Sequence, residues 1–139
     1  LSTSSERAGA VAETLLGFDF GTCRIGVAIG NTLTGSARAL AIVAAEPTAD
    51  RWTAIAALVS EWQPQRLVVG RPRHFDDGDL AVTARCERFA RQLAGRFGLP
   101  VALVDEGYSS AEARTTAGRD RPVDAEAAAV ILRQYLSSR

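Results

Sequence analysis

Hydrophobic and polar positions follow two periods along this chain, and the switches between them mark its elements. Leu15-Leu16-Gly17-Phe18 is an unbroken apolar run closed by Asp19 and released at Gly21. Its length and its turn signal predict a buried strand. Arg24 to Gly30 carries Ile25, Val27 and Ile29 at period two, the pattern of a half-buried antiparallel strand. Turn residues fill Asn31 to Gly35. Ala37 to Val43 then alternates again, Ala37, Ala39, Ala41 and Val43 against Arg38, Leu40 and Ile42. Three strands joined by short polar turns predict a meander.

After Glu46-Pro47 the period changes. Trp52, Ile55, Val59 and Trp62 fall at helical spacing, so Ala49 to Trp62 is predicted as an amphipathic helix, with Thr48 as its cap and Pro64 as its stop. Both Trp are read as core. Arg66 to Gly70 is a short strand of the buried, parallel type. A charged loop, Arg71 to Asp79, turns at Asp77-Gly78; its Asp76, Asp77 and Asp79 lack calcium-loop spacing and are read as solvated. A long helix follows from Leu80 to Phe97, with Val82, Cys86, Phe89, Leu93 and Phe97 as its stripe and Arg85, Arg88, Arg91 and Arg96 on other faces. Gly98 and Pro100 end it. Val101 to Val104 is another buried strand, running into Asp105-Glu106. Ser109 with Glu112 forms a capping box for a short helix. A polar segment, Thr115 to Arg121, leads to a last helix from Pro122 to Leu136.

This order predicts an α/β sandwich on a mixed five-stranded sheet, antiparallel first and parallel after, with helices on both faces. Right-handed crossovers place strands one, four and five side by side. Length changes little: 139 residues make one domain, read as residues 14–139 behind a loose tail of 1–13. That tail has no apolar core of a secretory signal, and no apolar run approaches the ~18 residues of a membrane span. Cys23 and Cys86 have no CxxC partner, which fits a reducing cytosol. Charge is more informative. The net charge is zero, yet all 16 basic residues are Arg. A nucleic-acid partner would therefore meet a local Arg patch, not a global excess.

The candidate chemistry lies in carboxylates. An ionised Asp at the end of an apolar run is costly to desolvate unless it is paired or holds a metal. If strands one and five are parallel, Asp19 and Glu106 leave the sheet at the same C-terminal edge, where open α/β sheets bind ligands. Asp124, at the start of the last helix, can face that edge too. Three carboxylates together call for a cation, and oxygen donors suit Mg²⁺ or Mn²⁺, as one or two ions. A capping or turn role for each acid is the competing reading.

A family resemblance selects the same three. Phe18-Asp19-Phe20-Gly21-Thr22 followed by Arg24-Ile25-Gly26-Val27-Ala28 resembles the "DFGTKRIGVA" opening of the YqgF family, also called RuvX. Gly35 to Ala39, Leu67-Val68-Val69-Gly70 with Pro72, Thr83-Ala84-Arg85, Val104-Asp105-Glu106 with Ser109-Ser110, and Val123-Asp124-Ala125 resemble its later motifs, in order, as far as Leu136. The resemblance implies a ribonuclease H-like fold in a bacterial cytoplasmic nuclease that trims the 5′ end of pre-16S rRNA. It also implies a divalent-metal site on Asp19, Glu106 and Asp124, activating a water for phosphodiester hydrolysis. Three positions depart from the family pattern. Cys23 stands where the family has Lys, Gly107-Tyr108 where it has Arg-Leu, and Arg71, Arg73 and His74 enter a loop that is usually uncharged. Arg71 and Arg73 are expected to replace the lost phosphate-binding charge, with Arg24, His74 and Arg85 as further substrate contacts.

The leading expectation is thus a metal-dependent endonuclease on structured RNA, without a membrane partner, acting as a monomer or weak homodimer. A Holliday-junction-resolvase-like nuclease on branched DNA is the second reading. A non-catalytic nucleic-acid-binding module in transcription or ribosome assembly is the third. Asp19 to Thr22 also resembles the phosphate loop of actin-like ATPases and sugar kinases, which close two such domains around a nucleotide; one domain cannot.

Overall fold

The apolar run from Leu15 to Phe18 lies inside a strand that extends from Thr14 to Phe20 (β1) and occupies the centre of the sheet. The computed structural model describes residues 12–21, 23–71, 78–105 and 125–138. Around β1 stand β2 (Arg24–Asn31), β3 (Ser36–Ala44), β4 (Arg66–Arg71) and β5 (Val101–Asp105), in the order β3-β2-β1-β4-β5. Three helices accompany them among the described residues: α1 (Thr48–Trp62), α2 (Gly78–Phe97) and α3 (Ala125–Ser138). β1, β2 and β3 form the antiparallel meander, whereas β4 and β5 run parallel to β1. The expected mixed sheet and the neighbourhood of strands one, four and five are both present.

Strand alternation sends side chains to two cores. On one face Leu16, Phe18, Ile25, Val27, Leu67 and Val69 meet α1 and α2 through Trp52, Ile55, Cys86, Phe89 and Leu93. Phe89 is the hub: its ring lies edge-on to Phe18 at 5.7 Å and stacks on Phe20 at 4.6 Å and on Trp52 at 5.7 Å. Such ring pairs add to the area they bury. On the other face Leu15, Ala28 and Val68 pack against Ala128, Ala129, Ile131 and Leu132 of α3. Trp52 is buried, as expected, while Trp62 is only half buried.

Small residues set how closely α3 approaches. A Cβ built at Gly17 would lie 2.5 Å from Leu132 Cγ, and one at Gly30 would lie 3.2 Å from Leu132 Cδ1. Leu132 therefore seats in a depression made by glycines on β1 and β2.

Element ends differ in instructive ways from the expectations. β1 outlasts its apolar run because Asp19 and Phe20 still pair with Gly26 and Ile25. Thr48 is the first residue of α1, not its cap; the cap position is Pro47, which makes no side-chain cap bond. Gln63 ends α1 in the left-handed region at φ 49°, its N–H donating to the Val59 carbonyl at 2.9 Å. Of the tail expected over residues 1–13, Glu13 exchanges hydrogen bonds with Thr32; residues 1–11, the short helix expected at Ser109 and the expected start of the last helix at Pro122 lie outside the described residues. Among the described residues no helix is long and apolar enough to cross a membrane.

Two glycine substitutions separate these effects. Gly17→Ala is expected to destabilise the fold by about 1–3 kcal/mol through overpacking against Leu132. Gly95→Ala, on α2 with nothing within 4 Å of the added Cβ, is expected to stabilise it by about 0.5–1 kcal/mol. Urea unfolding midpoints of the two variants check both signs.

Candidate nucleic-acid and metal edge

Register determines what meets at the C-terminal edge of the parallel strands. Phe18 pairs with Val69, Gly70 with Val104, and Arg71 with Asp105. One residue beyond Phe18, Asp19 stands level with Gly70 on one side and pairs with Gly26 on the other. Leu15 belongs to the α3 core and Gly17 lies under Leu132, so by alternation Asp19 is on the α3 face. Neither flanking strand presents a side chain at its level. A glycine on each side lets a ligand come close to the backbone around a half-buried carboxylate.

The hairpin after Asp19 is held by backbone. Gly21 N–H donates to the Arg24 carbonyl at 3.0 Å, and a Cβ at Gly21 would sit 2.6 Å from that oxygen. Only glycine fits this turn. Cys23 is exposed, and its carbonyl accepts the Ala45 N–H at 3.0 Å. Arg24 is exposed and, since Ile25 and Val27 belong to the opposite core, it shares the face of Asp19. It lies on the diagonal across the strand pair, about 7–8 Å away by the usual spacing.

Arg71, expected as a phosphate contact, is engaged by two carboxylates. Leu67 and Val69 face α2, so Arg71 does too, opposite Asp19. Its Nε donates to Asp105 Oδ1 and its Nη1 to Glu87 Oε2, each at 2.8 Å. The bond to Asp105 holds the guanidinium above the usual arginine range; burial opposes this, and Glu87 reinforces it. Arg71 thus ties together the ends of β4 and β5 and the flank of α2. On the same face Arg51 lies 5.3 Å from the Phe20 ring centroid and donates from Nε to the Ala45 carbonyl at 3.1 Å, bracing the end of β1. Arg85 is exposed on α2.

Of the residues expected at the site, the structure thus brings Asp19 and Arg24 to one face of the edge and sets Arg71 and Arg85 on the other. Glu106, Asp124, Arg73 and His74 lie outside the described residues. Among the described residues no group of three or more His, Cys, Asp or Glu side chains gathers as a metal site. Asp19 contributes the hard oxygen donor that Mg²⁺ or Mn²⁺ requires. Sequence reasoning missed Gly26 and Gly70 as the flanks of Asp19, and Asp105 and Glu87 as partners of Arg71. Counting outward from the Gly21 turn would have found Gly26.

The Arg71 bridge is open to measurement. Its partners are partly exposed, with side chains 29%, 38% and 48% accessible for Arg71, Glu87 and Asp105. Solvent screening therefore limits the Arg71–Asp105 coupling to about 0.5–1 kcal/mol. Because the folded Arg71 titrates above its unfolded value, its contribution is complete below the ordinary arginine range and is lost only above it. A double-mutant cycle with Arg71→Gln and Asp105→Asn should give that coupling in urea melts, unchanged between about pH 7 and pH 9 and reduced in about 1 M NaCl.

Solved structures of similar fold include two in complex with Holliday junctions. The chain superposes on Thermus thermophilus RuvC in complex with a Holliday junction substrate with a TM-score of 0.55 at 19% identity, covering 91% of this chain and 95% of that one. The Fowlpox virus resolvase bound to Holliday junction DNA gives 0.55 at 12% identity over 90% and 97%. At such identities the likeness establishes the fold, which is ribonuclease H-like. Closer in sequence is a Bordetella petrii protein provisionally named pre-16S rRNA nuclease, 55% identical over 126 residues, 91% of this chain and 96% of the relative. A Burkholderia ambifaria protein of the same provisional name is 53% identical over 131 residues, 88% of each chain. The family model described as RuvX, Holliday junction resolvase, matches residues 13–138, and the chain therefore belongs to the RuvX family.

Proposed function

We propose that the protein is a metal-dependent endonuclease that hydrolyses phosphodiester bonds in structured RNA in the cytoplasm, with the 5′ side of pre-16S rRNA as its substrate. The observation that carries this reading is the position of Asp19. It is a carboxylate on the central strand, at the edge where β1, β4 and β5 end together, with glycine on both sides. The provisional name shared by the close relatives supplies the substrate.

In this reading Asp19, Glu106 and Asp124 hold Mg²⁺ or Mn²⁺, as one or two ions. An ion held there would supply Lewis-acid polarisation of the scissile phosphodiester and a more acidic attacking water. The chain does the rest. Asp19 supplies a fixed oxygen donor from a strand whose hairpin admits no slack. Glu106 directly follows Asp105, which Arg71 anchors. Asp124 directly precedes Ala125, the first described residue of α3, where an acid also complements the helix dipole. Arg24 offers a bidentate phosphate donor on the face of Asp19, while Arg73, His74 and Arg85 extend the substrate contact beyond it. Arg71 is assigned to the architecture of the edge, its donors being engaged by Asp105 and Glu87.

A second reading, resolution of branched DNA, is favoured by the description of the family model and by the junction-bound structures of the same fold. A labelled RNA carrying a stem and a 5′ extension, set against a four-way DNA junction, separates the two. We expect Mn²⁺-dependent cleavage of the RNA, loss of cleavage in EDTA, and loss of at least about 10³-fold in rate for Asp19→Asn with an unchanged melting temperature. Cleavage of the junction alone would favour the second reading. Binding that survives EDTA with no cleavage under any divalent ion would identify a non-catalytic binding module.

A further inference from the structure

Arg85, Arg88 and Arg91 are all exposed on α2. They recur every three residues, so each stands about 4.5 Å further along the helix axis, and Arg88 and Arg91 point directly away from the buried Cys86, Phe89 and Leu93 stripe. Like charges at this spacing oppose one another on a helix. The usual relief is an acid one turn away. Glu87 stands four residues before Arg91, yet its carboxylate is drawn to Arg71 at 2.8 Å. Among the described residues no carboxylate pairs with Arg85, Arg88 or Arg91. Arg96 differs, its guanidinium lying 4.3 Å over the Trp52 ring. A chain with 16 basic and 16 acidic residues has no surplus of cations to scatter, so this face reflects segregation.

We propose that Arg85, Arg88 and Arg91 form a docking strip for the phosphate backbone of a double-helical RNA segment flanking the cleavage position. The idea rests on the nuclease reading above and deepens it. The Glu87–Arg71 bond anchors this part of α2 to the end of β4, so the strip begins beside the substrate edge. From there α2 runs back across the sheet towards the start of β5. Arg85 to Arg91 covers about 9 Å of axis. A strip of that length is enough to meet about two successive phosphates of one strand. A single-stranded end reaching Asp19 on the other face would leave the adjoining stem against α2, and the two faces would divide the substrate between them.

The test uses the full chain in EDTA and two fluorescein-labelled RNA probes: a hairpin with a 5′ extension, and the extension alone. Anisotropy titrations across a NaCl series give the slope of log affinity against log salt. For Arg88→Gln/Arg91→Gln we expect hairpin binding to weaken roughly tenfold at low salt and the slope to fall by about 2, one unit per lost phosphate contact. Binding of the extension should stay unchanged, and Arg88→Lys/Arg91→Lys should restore the slope. An unchanged hairpin slope overturns the strip, as does an equal loss on both probes. Cleavage of the hairpin by the parent protein in Mn²⁺ is scored separately. A lowered slope without cleavage leaves the strip standing and removes the nuclease reading; cleavage with an unchanged slope does the reverse.

Discussion

A strand buried on both faces can carry a charge only where the layers above and below it end. β1 is such a strand. Leu16 and Phe18 face the α1–α2 layer and Leu15 faces α3, all of them fully buried. Gly17 is given over to Leu132, in the middle of α3. Two residues on, at the same parity, Asp19 is half-buried. A carboxylate carried deeper into this apolar run would lose more of its hydration. The packing of one leucine into two glycines fixes how closely α3 lies on β1 and β2, and the Gly21 turn fixes where the chain reverses after Asp19.

The two faces of the sheet divide the work at this edge. Asp19 and Arg24 stand on the α3 face, where the flanking glycines leave the surface low. The opposite face is braced. Phe20 stacks on Phe89, Arg51 covers Phe20, and Arg71 joins β4, β5 and α2 through two carboxylates. Stiffening one side of a sheet edge is a sound arrangement for a site that must hold ligands in fixed geometry against a large, flexible substrate.

Much of this was legible in the residues alone. Period-two alternation located β2 and β3, and the helical stripe from Cys86 to Phe97 located α2 nearly to its ends. Connection rules placed β1, β4 and β5 together, which put Asp19 at a shared edge. What sequence reasoning missed depends on register and partner choice, which are tertiary. Arg71 looked like loop charge because its strand was expected to stop at Gly70; one more residue of pairing with Asp105 turned it towards α2. Thr48 carried the chemistry of a cap, but the chain had already reached the cap position at Pro47. Ile42 reads as a strand residue and is one, yet it remains 44% exposed.

The Cys23 backbone bond has a practical consequence. Ala45 secures the Cys23 carbonyl, while the thiol points into solvent and Cys86 is 2% exposed. Backbone and side chain at this position are thus decoupled, and the chain has two cysteines in all. The side chain can change size and charge without dragging the hairpin with it. Nature has, in effect, left a single addressable thiol four residues from Asp19, ready to carry a spectroscopic reporter into the native protein without first rebuilding its surface.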